Sequence, residues 1–434
     1  MSAGGCIRAG LADGVNSSLE TRSGRRSPDR KSLNAWGARL SIRPPVEDWA
    51  TDFDHLDPRW VDDPFPIWAE LRSSCPVAHT DRFQGVYLPT RYKDIREIAY
   101  DTEAFSSRRV QVGVTPPPIK SPAPPITSDP PHHRLARMVL LPPFTPAAID
   151  KLIPETRAIC NELIDRFSGN NECDAALDYA QHIPVRVIAK LLGLPADHGD
   201  KFRDWVHGVV EAAVLDDEAM VRTLEEMTAY FLDQVQRRRR APSEDLISYL
   251  VAARVDGQPL TDNYILGTLR LLLIAGVDTT WSGIEACFWH LAKTPEDRRR
   301  LAAEPSLMPT AIEELLRAYS PVTMARMVAK DTVVEGCPYK SGQMVLLSFP
   351  AANRDPAVFP DADKVIIDRK ENRHVAFGLG IHRCIGSNLA RMELRVAVEE
   401  FLKRIPEFYL ADPKAVKWSE GAVRGPRALP LKLE

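Results

Sequence analysis

Three short stretches hold residues whose type and spacing suit chemistry. The first runs from Ala376 to Arg391 and reads AFGLGIHRCIGSNLAR. Gly378 and Gly380 allow tight turns and a close approach of backbone to a flat ligand. Cys384 follows, at the mouth of a helix that Gly386 opens through Leu389, Ala390, Met392 and Leu394. Orphan amides and the helix dipole at such a terminus bias a thiol towards thiolate, the form that binds metal. Taken alone, Cys384 reads more readily as a small buried residue in a glycine-rich turn, and a zinc site on His382 and Cys384 lacks further ligands at the usual spacing. The second stretch is LLLIAGVDTTWSGIEACFWHLAK, starting at Leu271. Ala275-Gly276 removes bulk, and Asp278, Thr279 and Thr280 put polar groups into an apolar run. Glycine costs about 1 kcal/mol in a helix interior and a buried carboxylate costs more unless paired. Such costs are tolerated where a site needs a gap and a proton source; the plainer alternative is a threonine bonded back to its own helix beside an exposed Asp278. The third is AIEELLRAYSP, where Glu314 and Arg317 share a helix face. By itself that pair is a surface contact, and Thr310 with Glu313 reads as a capping box.

These residues need elements to hold them. Helix-period apolar residues with few breakers cover 146–167, 183–193, 200–213, 217–238, 262–293 and 310–319. Strand signals sit at Gly85–Leu88, Thr332–Val334 and Met344–Phe349. Thr294-Pro295-Glu296 reads as a helix start with a capping hydroxyl. Proline crowds 115–131, so 106–131 is expected to be a long irregular loop. There is no fixed-period repeat and no Gly/Ser linker. The expectation is a single mostly α domain with small β sheets over 44–434, behind a Gly-, Ser- and Arg-rich disordered tail at 1–43. Asp13, Glu20 and Asp29 weaken the rival reading of that tail as an organelle presequence.

Composition narrows the classes. A net charge of -3 over 434 residues gives no basic surface for nucleic acid. The seven cysteines are scattered without a CxxC pair, which suits reduced thiols in a cytoplasmic protein. Leu271–Val277, the most apolar run, is far short of the about 20 residues a bilayer needs, so no transmembrane segment is expected. The N-terminus has no continuous apolar segment of the kind a secretory signal requires.

The 376–391 run resembles the haem-binding pattern of the cytochrome P450 family, soluble bacterial type, F-G-x-G-x-H-x-C-x-G-x-x-L-A-R. Phe377, Gly378, Gly380, His382, Cys384, Gly386, Leu389, Ala390 and Arg391 fill its fixed positions. The resemblance implies the cytochrome P450 fold, with haem b between the long central helix and the cysteine-loop helix. It makes Cys384 the axial ligand, puts Phe377 near the sulfur with Gly378 in the turn, and brings His382 to a propionate. Thiolate ligation then favours O–O cleavage, an effect established for this family. The central helix is similar to the motif A/G-G-x-D/E-T. That likeness implies a gap for dioxygen at Ala275-Gly276, a hydrogen bond to oxygen from Thr279, and proton relay by Asp278. Glu314 and Arg317 match E-x-x-R, a buried clamp completed by Arg369, although VIIDR lacks the usual Phe-Asp before that arginine. Asp129 to Arg137 resembles D-P-P-x-H-x-x-x-R, making His133 and Arg137 propionate contacts; His132-His133-Arg134 departs from the commoner Glu-His-Thr. Arg326, in ARMVAKD, is the third such contact. The likeness runs in order from about residue 129 to 391, with weaker echoes in DDPFPIWAELRSSCPV and SEGAVRGPRALPL.

The implied reaction inserts one oxygen atom from O2 into a small apolar substrate. The sequence holds no dinucleotide fingerprint or flavin domain, so NAD(P)H electrons are expected through a separate ferredoxin and ferredoxin reductase. Arg383, Arg391 and Arg395 would form a basic docking patch whose effect weakens with salt. Ile274, Ala275, Val322 and Ala422 resemble pocket-lining positions. Two alternatives remain: a peroxide-using or non-oxygenating haem-thiolate enzyme, against which the Asp278-Thr279 pair argues, and a haem- or ligand-binding protein without turnover.

Overall fold

Apolar residues at helical spacing become helices wherever breakers are scarce. The computed structural model describes residues 44–113, 122–210, 217–419 and 421–434. Its main helices are α1 (His132–Leu140), α2 (Ile153–Asp165), α3 (His182–Leu192), α4 (Gly199–Val210), α5 (Asp217–Arg240), α6 (Asp262–Lys293), α7 (Met308–Ala318) and α8 (Ser387–Arg404). Thr261 caps α6 by accepting the Tyr264 amide, so the longest helix begins and ends where the pattern predicts. The expected helix at 146–167 breaks into short turns around Pro142, Pro146 and Asp150 before α2 begins. Two capping expectations are corrected. The Thr294 side chain caps nothing. Because α7 starts at Met308, Thr310 lies inside the helix and cannot serve as the cap of a box with Glu313.

The strands β1 (Val77–Thr80), β2 (Val86–Pro89), β3 (Phe105–Ser106), β4 (Thr323–Val328) and β5 (Met344–Ser348) make one sheet, ordered β1-β2-β5-β4-β3. Central β5 runs parallel to β2 and antiparallel to β4, with Val345 opposite Arg326. All five β5 residues are buried, which accounts for its unbroken apolar run. Near the C-terminus, β6 (Lys417–Trp418) pairs with β7 (Pro426–Ala428).

Residues Pro45–Glu434 form one compact unit, with α6 running through its core. By length and composition α6 is apolar enough to cross a membrane, but most of that apolar window is buried within the fold. Phe288 of α6 meets Phe401 of α8 with ring centroids 4.6 Å apart, and Tyr179 lies 5.4 Å from Phe401. Each fully buried large side chain of this kind contributes about 1.5–3 kcal/mol. Gly283 lets Leu394 of α8 press within 3.3 Å of where a Cβ would stand. The described parts of the 106–131 loop contain neither helix nor strand past Ser106. That loop rests on α6 at Gly267, where a Cβ would lie 2.2 Å from the Pro122 carbonyl oxygen. The expectation of disorder at 1–43 falls outside the described residues.

Candidate functional site

Where α6 passes the N-terminus of α8, an apolar cavity opens. Cys384 lines it, along with Phe377, Gly378 and His382 of the cysteine loop. The Cys384 side chain is accessible, but its free surface faces this enclosed space and otherwise protein surrounds it. Its amide donates to the Phe377 carbonyl at 2.7 Å, closing the loop. Gly380 has φ +66, and a Cβ there would lie 2.5 Å from the Ala99 carbonyl oxygen, so only glycine passes. Burial pushes the Cys384 thiol up, opposed by the Gly386 amide and by Arg137, Arg391 and Arg383. A metal cation facing the sulfur would tip that balance to thiolate.

Cations converge at one edge of the cavity. Arg137 of α1 and Arg326 of β4 both line it. Arg326 is 5% exposed, its guanidinium bonds among the described residues only to the neighbouring Ala325 carbonyl at 2.7 Å, and burial pushes it down to about 10. Arg137 has no ion pair among the described residues, and burial lowers it too. The His133 and His382 rings lie 4.3 Å apart, and His133 Nε2 is buried without a partner. Burial, then Arg326, His133 and Arg137, depress His382 to about 3, so its imidazole is neutral and shares a 2.9 Å hydrogen bond with Ser107 Oγ. The nearest acid, Asp129, is already occupied by Ser106 Oγ (2.5 Å) and the Ser107 amide (2.7 Å). Buried guanidinium groups with no ion pair among the described residues leave a place for an acidic ligand. The carboxylate edge of haem fits that place, and the thiol fits its iron.

On α6, residues 275, 276 and 279 border the cavity. Thr279 Oγ1 donates to the Ala275 carbonyl at 2.8 Å, so the hydroxyl is bonded back along its helix while facing the space. Asp278 is turned away. It is 1% exposed, and its carboxylate accepts from Arg427 Nη2 of β7 at 2.7 Å. The same guanidinium reaches Ser282 Oγ at 2.8 Å and buried Glu285 at 3.3 Å. Thr279 thus borders the cavity and Asp278 does not, although other neighbours on α6, Ala275 and Gly276, both line it. One pocket expectation is corrected: Ala275 and Val322 line the space, but Ile274 packs against the core. Ala422 also stays off the cavity; its carbonyl receives the Thr323 amide at 2.9 Å, tying the C-terminal turn to β4.

Behind the cysteine loop the expected clamp residues meet. Buried Glu314 accepts from Arg317 Nε and Nη2, each at 2.8 Å, and from Arg369 Nε at 3.0 Å. The missing Phe-Asp therefore does not displace Arg369. Glu313 holds Arg391 through two bonds of 2.6 and 2.8 Å and accepts from His374 at 2.9 Å. Burial works against ionisation, but these partners outweigh it and hold the Glu313 carboxyl down to about 2. This weakens the three-arginine docking patch: Arg391 is bound to Glu313, Arg395 lies 3.9 Å from Glu399, and exposed Arg383 alone has no ion pair among the described residues. Ser107, Arg427 and His374 are site neighbours that the sequence pattern did not single out, and Glu313 entered only as a capping partner of Thr310. The one available signal was adjacency, since Glu313 precedes Glu314 and His374 stands three residues before Phe377.

Known proteins resemble this chain in sequence and in fold. The sequence profile of the family Cytochrome P450 matches residues 199–410. Mycinamicin IV hydroxylase/epoxidase of Micromonospora griseorubida is 36% identical over 84% of this chain and 94% of its own length. Vitamin D(3) 25-hydroxylase of Pseudonocardia autotrophica is 35% identical over 80% and 88%. Among solved structures, cytochrome P450 CYP109Q5 from Chondromyces apiculatus superposes with a TM-score of 0.82 at 34% identity, covering 89% of this chain and 99% of that one.

Proposed function

This chain belongs to the cytochrome P450 family, a haem-thiolate oxidoreductase, and from that premise we propose that it inserts one oxygen atom from O2 into a bulky apolar substrate. The observation that carries the proposal is a single accessible cysteine at the floor of an apolar cavity, opposite a gap in the central helix and beside buried arginines with no ion pair among the described residues. Cys384 would ligate the haem iron, while Arg137, Arg326, His382 and His133 would hold its carboxylates. When bound, haem supplies the electron and dioxygen chemistry that protein side chains lack.

The remaining work falls to this chain's own residues. Ala275 and Gly276 keep bulk away from the space above the sulfur. Thr279 keeps one hydroxyl oxygen in the cavity as an acceptor, because its proton is committed to the Ala275 carbonyl. Asp278 would bring protons from its position beside Arg427. Pro125, Ile126, Leu271 and Met324 give the walls an apolar surface that excludes water and selects substrates by shape. Relatives named for mycinamicin IV and vitamin D(3) support a large ring-containing substrate. Electrons would come from NAD(P)H through a ferredoxin and its reductase, in the cytoplasm, where unpaired cysteines such as the six described here persist.

Two measurements test the proposal. The reduced carbon-monoxide complex should show the red-shifted Soret band of thiolate ligation, and Cys384→Ala should lose it; retention of that band would sink Cys384 as ligand. Turnover of apolar macrocycles and sterols under 18O2 should put one labelled atom in the product. The Asp278–Arg427 pair favours a second reading, because an acid held away from the cavity suits peroxide use. Turnover with peroxide exceeding turnover with reductant and O2 would select it.

A further inference from the structure

We propose that Glu313 is a positioning residue that tunes the electrostatic field at the Cys384 ligand by holding and offsetting Arg391. The inference deepens the reading above and rests on Cys384 as the ligand. Arg391 Cζ sits 4.4 Å from the centre of the Phe377 ring. Phe377 in turn takes the Cys384 amide proton at its carbonyl, 2.7 Å away. Arg391 is therefore one residue removed from the sulfur, and it is one of three arginines whose charge favours thiolate there. Among those three, it is the one with a carboxylate bound to it in a fork, both oxygens engaged. Arg137 and Arg383 have no ion pair among the described residues.

Glu313 also reaches the other side of the loop. His374 Nδ1 accepts the Ala376 amide at 3.2 Å, which places the imidazole proton on Nε2, and that proton goes to Glu313 at 2.9 Å. One carboxylate on α7 thus grips the chain before and after Cys384. It does two separable things: it fixes the guanidinium above Phe377, and its negative charge screens that guanidinium from the sulfur. Without the negative charge, the sulfur faces a stronger positive field and donates less electron density to a bound metal. The bound iron should then be easier to reduce.

The test is a dithionite titration of the holoenzyme's one-electron potential, with the electron supplied by the added reductant. Glu313→Gln should raise the potential by several-fold up to about tenfold in the reduction equilibrium, the upper end being 59 mV. Arg391→Gln, which removes the cation, should lower it. Both variants lose the same ion pair, so a merely structural role moves them the same way; opposite shifts support the proposal, and equal or absent shifts overturn it. Glu313→Asp and Arg391→Lys keep the charges, and each should return most of the parent potential, giving a readout if either glutamine variant folds poorly. A parent protein lacking the red-shifted carbon-monoxide band would refute the ligand assignment instead, which separates the two failures.

Discussion

Glu314→Gln puts the largest single electrostatic feature of the fold under test. The fully buried carboxylate accepts five hydrogen bonds: two from Arg317, and one each from Arg369, the Ile366 amide at 2.9 Å and Asn372 Nδ2 at 3.2 Å. Glutamine has nearly the same shape, but one oxygen becomes an amide whose protons would face guanidinium protons. Two buried guanidinium groups, 0% and 8% exposed, lose the carboxylate they share. Breaking a buried ion pair from one side costs about 3–5 kcal/mol, most of it the price of the charges left behind. Against a total stability of about 5–15 kcal/mol, the variant should still fold at room temperature with little margin. With a urea slope of about 3 kcal/mol per molar, the midpoint followed by tryptophan emission should drop by about 1–1.7 M. Glu314→Gln/Arg369→Gln should fall short of the sum of its single losses by about 1 kcal/mol or more. A loss below about 1 kcal/mol would show that the clamp is worth no more than a surface pair, and the burial argument would fail.

Three further outcomes follow from the geometry. Gly267→Ala adds about 1 kcal/mol of helix propensity yet drives a methyl at the Pro122 carbonyl, 2.2 Å from the ideal Cβ. Spectral titration should show roughly three- to tenfold weaker binding of apolar ligands with no fall in the unfolding midpoint; unchanged affinity would mean that the loop carrying Pro125 and Ile126 does not depend on that seat. Arg427→Gln strips a counter-ion from buried Asp278 and Glu285 and should cost about 3 kcal/mol. It should also lower the share of reductant that ends in product, and unaltered coupling would take Asp278 out of the proton path. Burial, then Arg203 and two further arginines, depress His182 to about 4, and neutral Nδ1 accepts from Arg203 at 3.0 Å. The folded value lies below the unfolded 6.5, so this stability is present above about pH 6.5 and is lost as pH falls towards 4. Comparing urea midpoints at pH 7 and 4.5, the parent should lose more than His182→Gln; parallel losses would refute the assignment.

Local patterns made much of this legible. The cysteine run carries its ligand, turns and helix start within sixteen residues, all fixed by short-range geometry. The ends of α6 follow from a capping threonine and an unbroken apolar period. What stayed hidden depends on contacts between distant segments. Arg427 meets Asp278 across 149 residues, and Arg391 meets Glu313 across 78. No spacing rule announces such pairs. The burial of Asp278 against Arg427 was hidden for the same reason, since adjacency to Thr279 does not fix which side chain reaches the cavity: Ala275 and Gly276 are neighbours and both line it. The Thr310–Glu313 box failed for a related reason, because two upstream residues, Met308 and Pro309, were drawn into the helix.

The cation edge of the cavity has a consequence for how the protein accumulates. His133, Arg137, Arg326 and His382 come from three well-separated stretches of chain, and they meet only once the fold is complete. Before a dicarboxylate arrives, closing the fold gathers guanidinium groups in a poorly solvated space without acids of their own, which taxes the empty form. A ligand that binds only the folded chain stabilises it in proportion to the logarithm of its concentration over Kd. The abundance of folded protein is thereby coupled to the supply of its prosthetic group: polypeptide made in excess of haem is the fraction most exposed to proteases, and filled molecules outlast it.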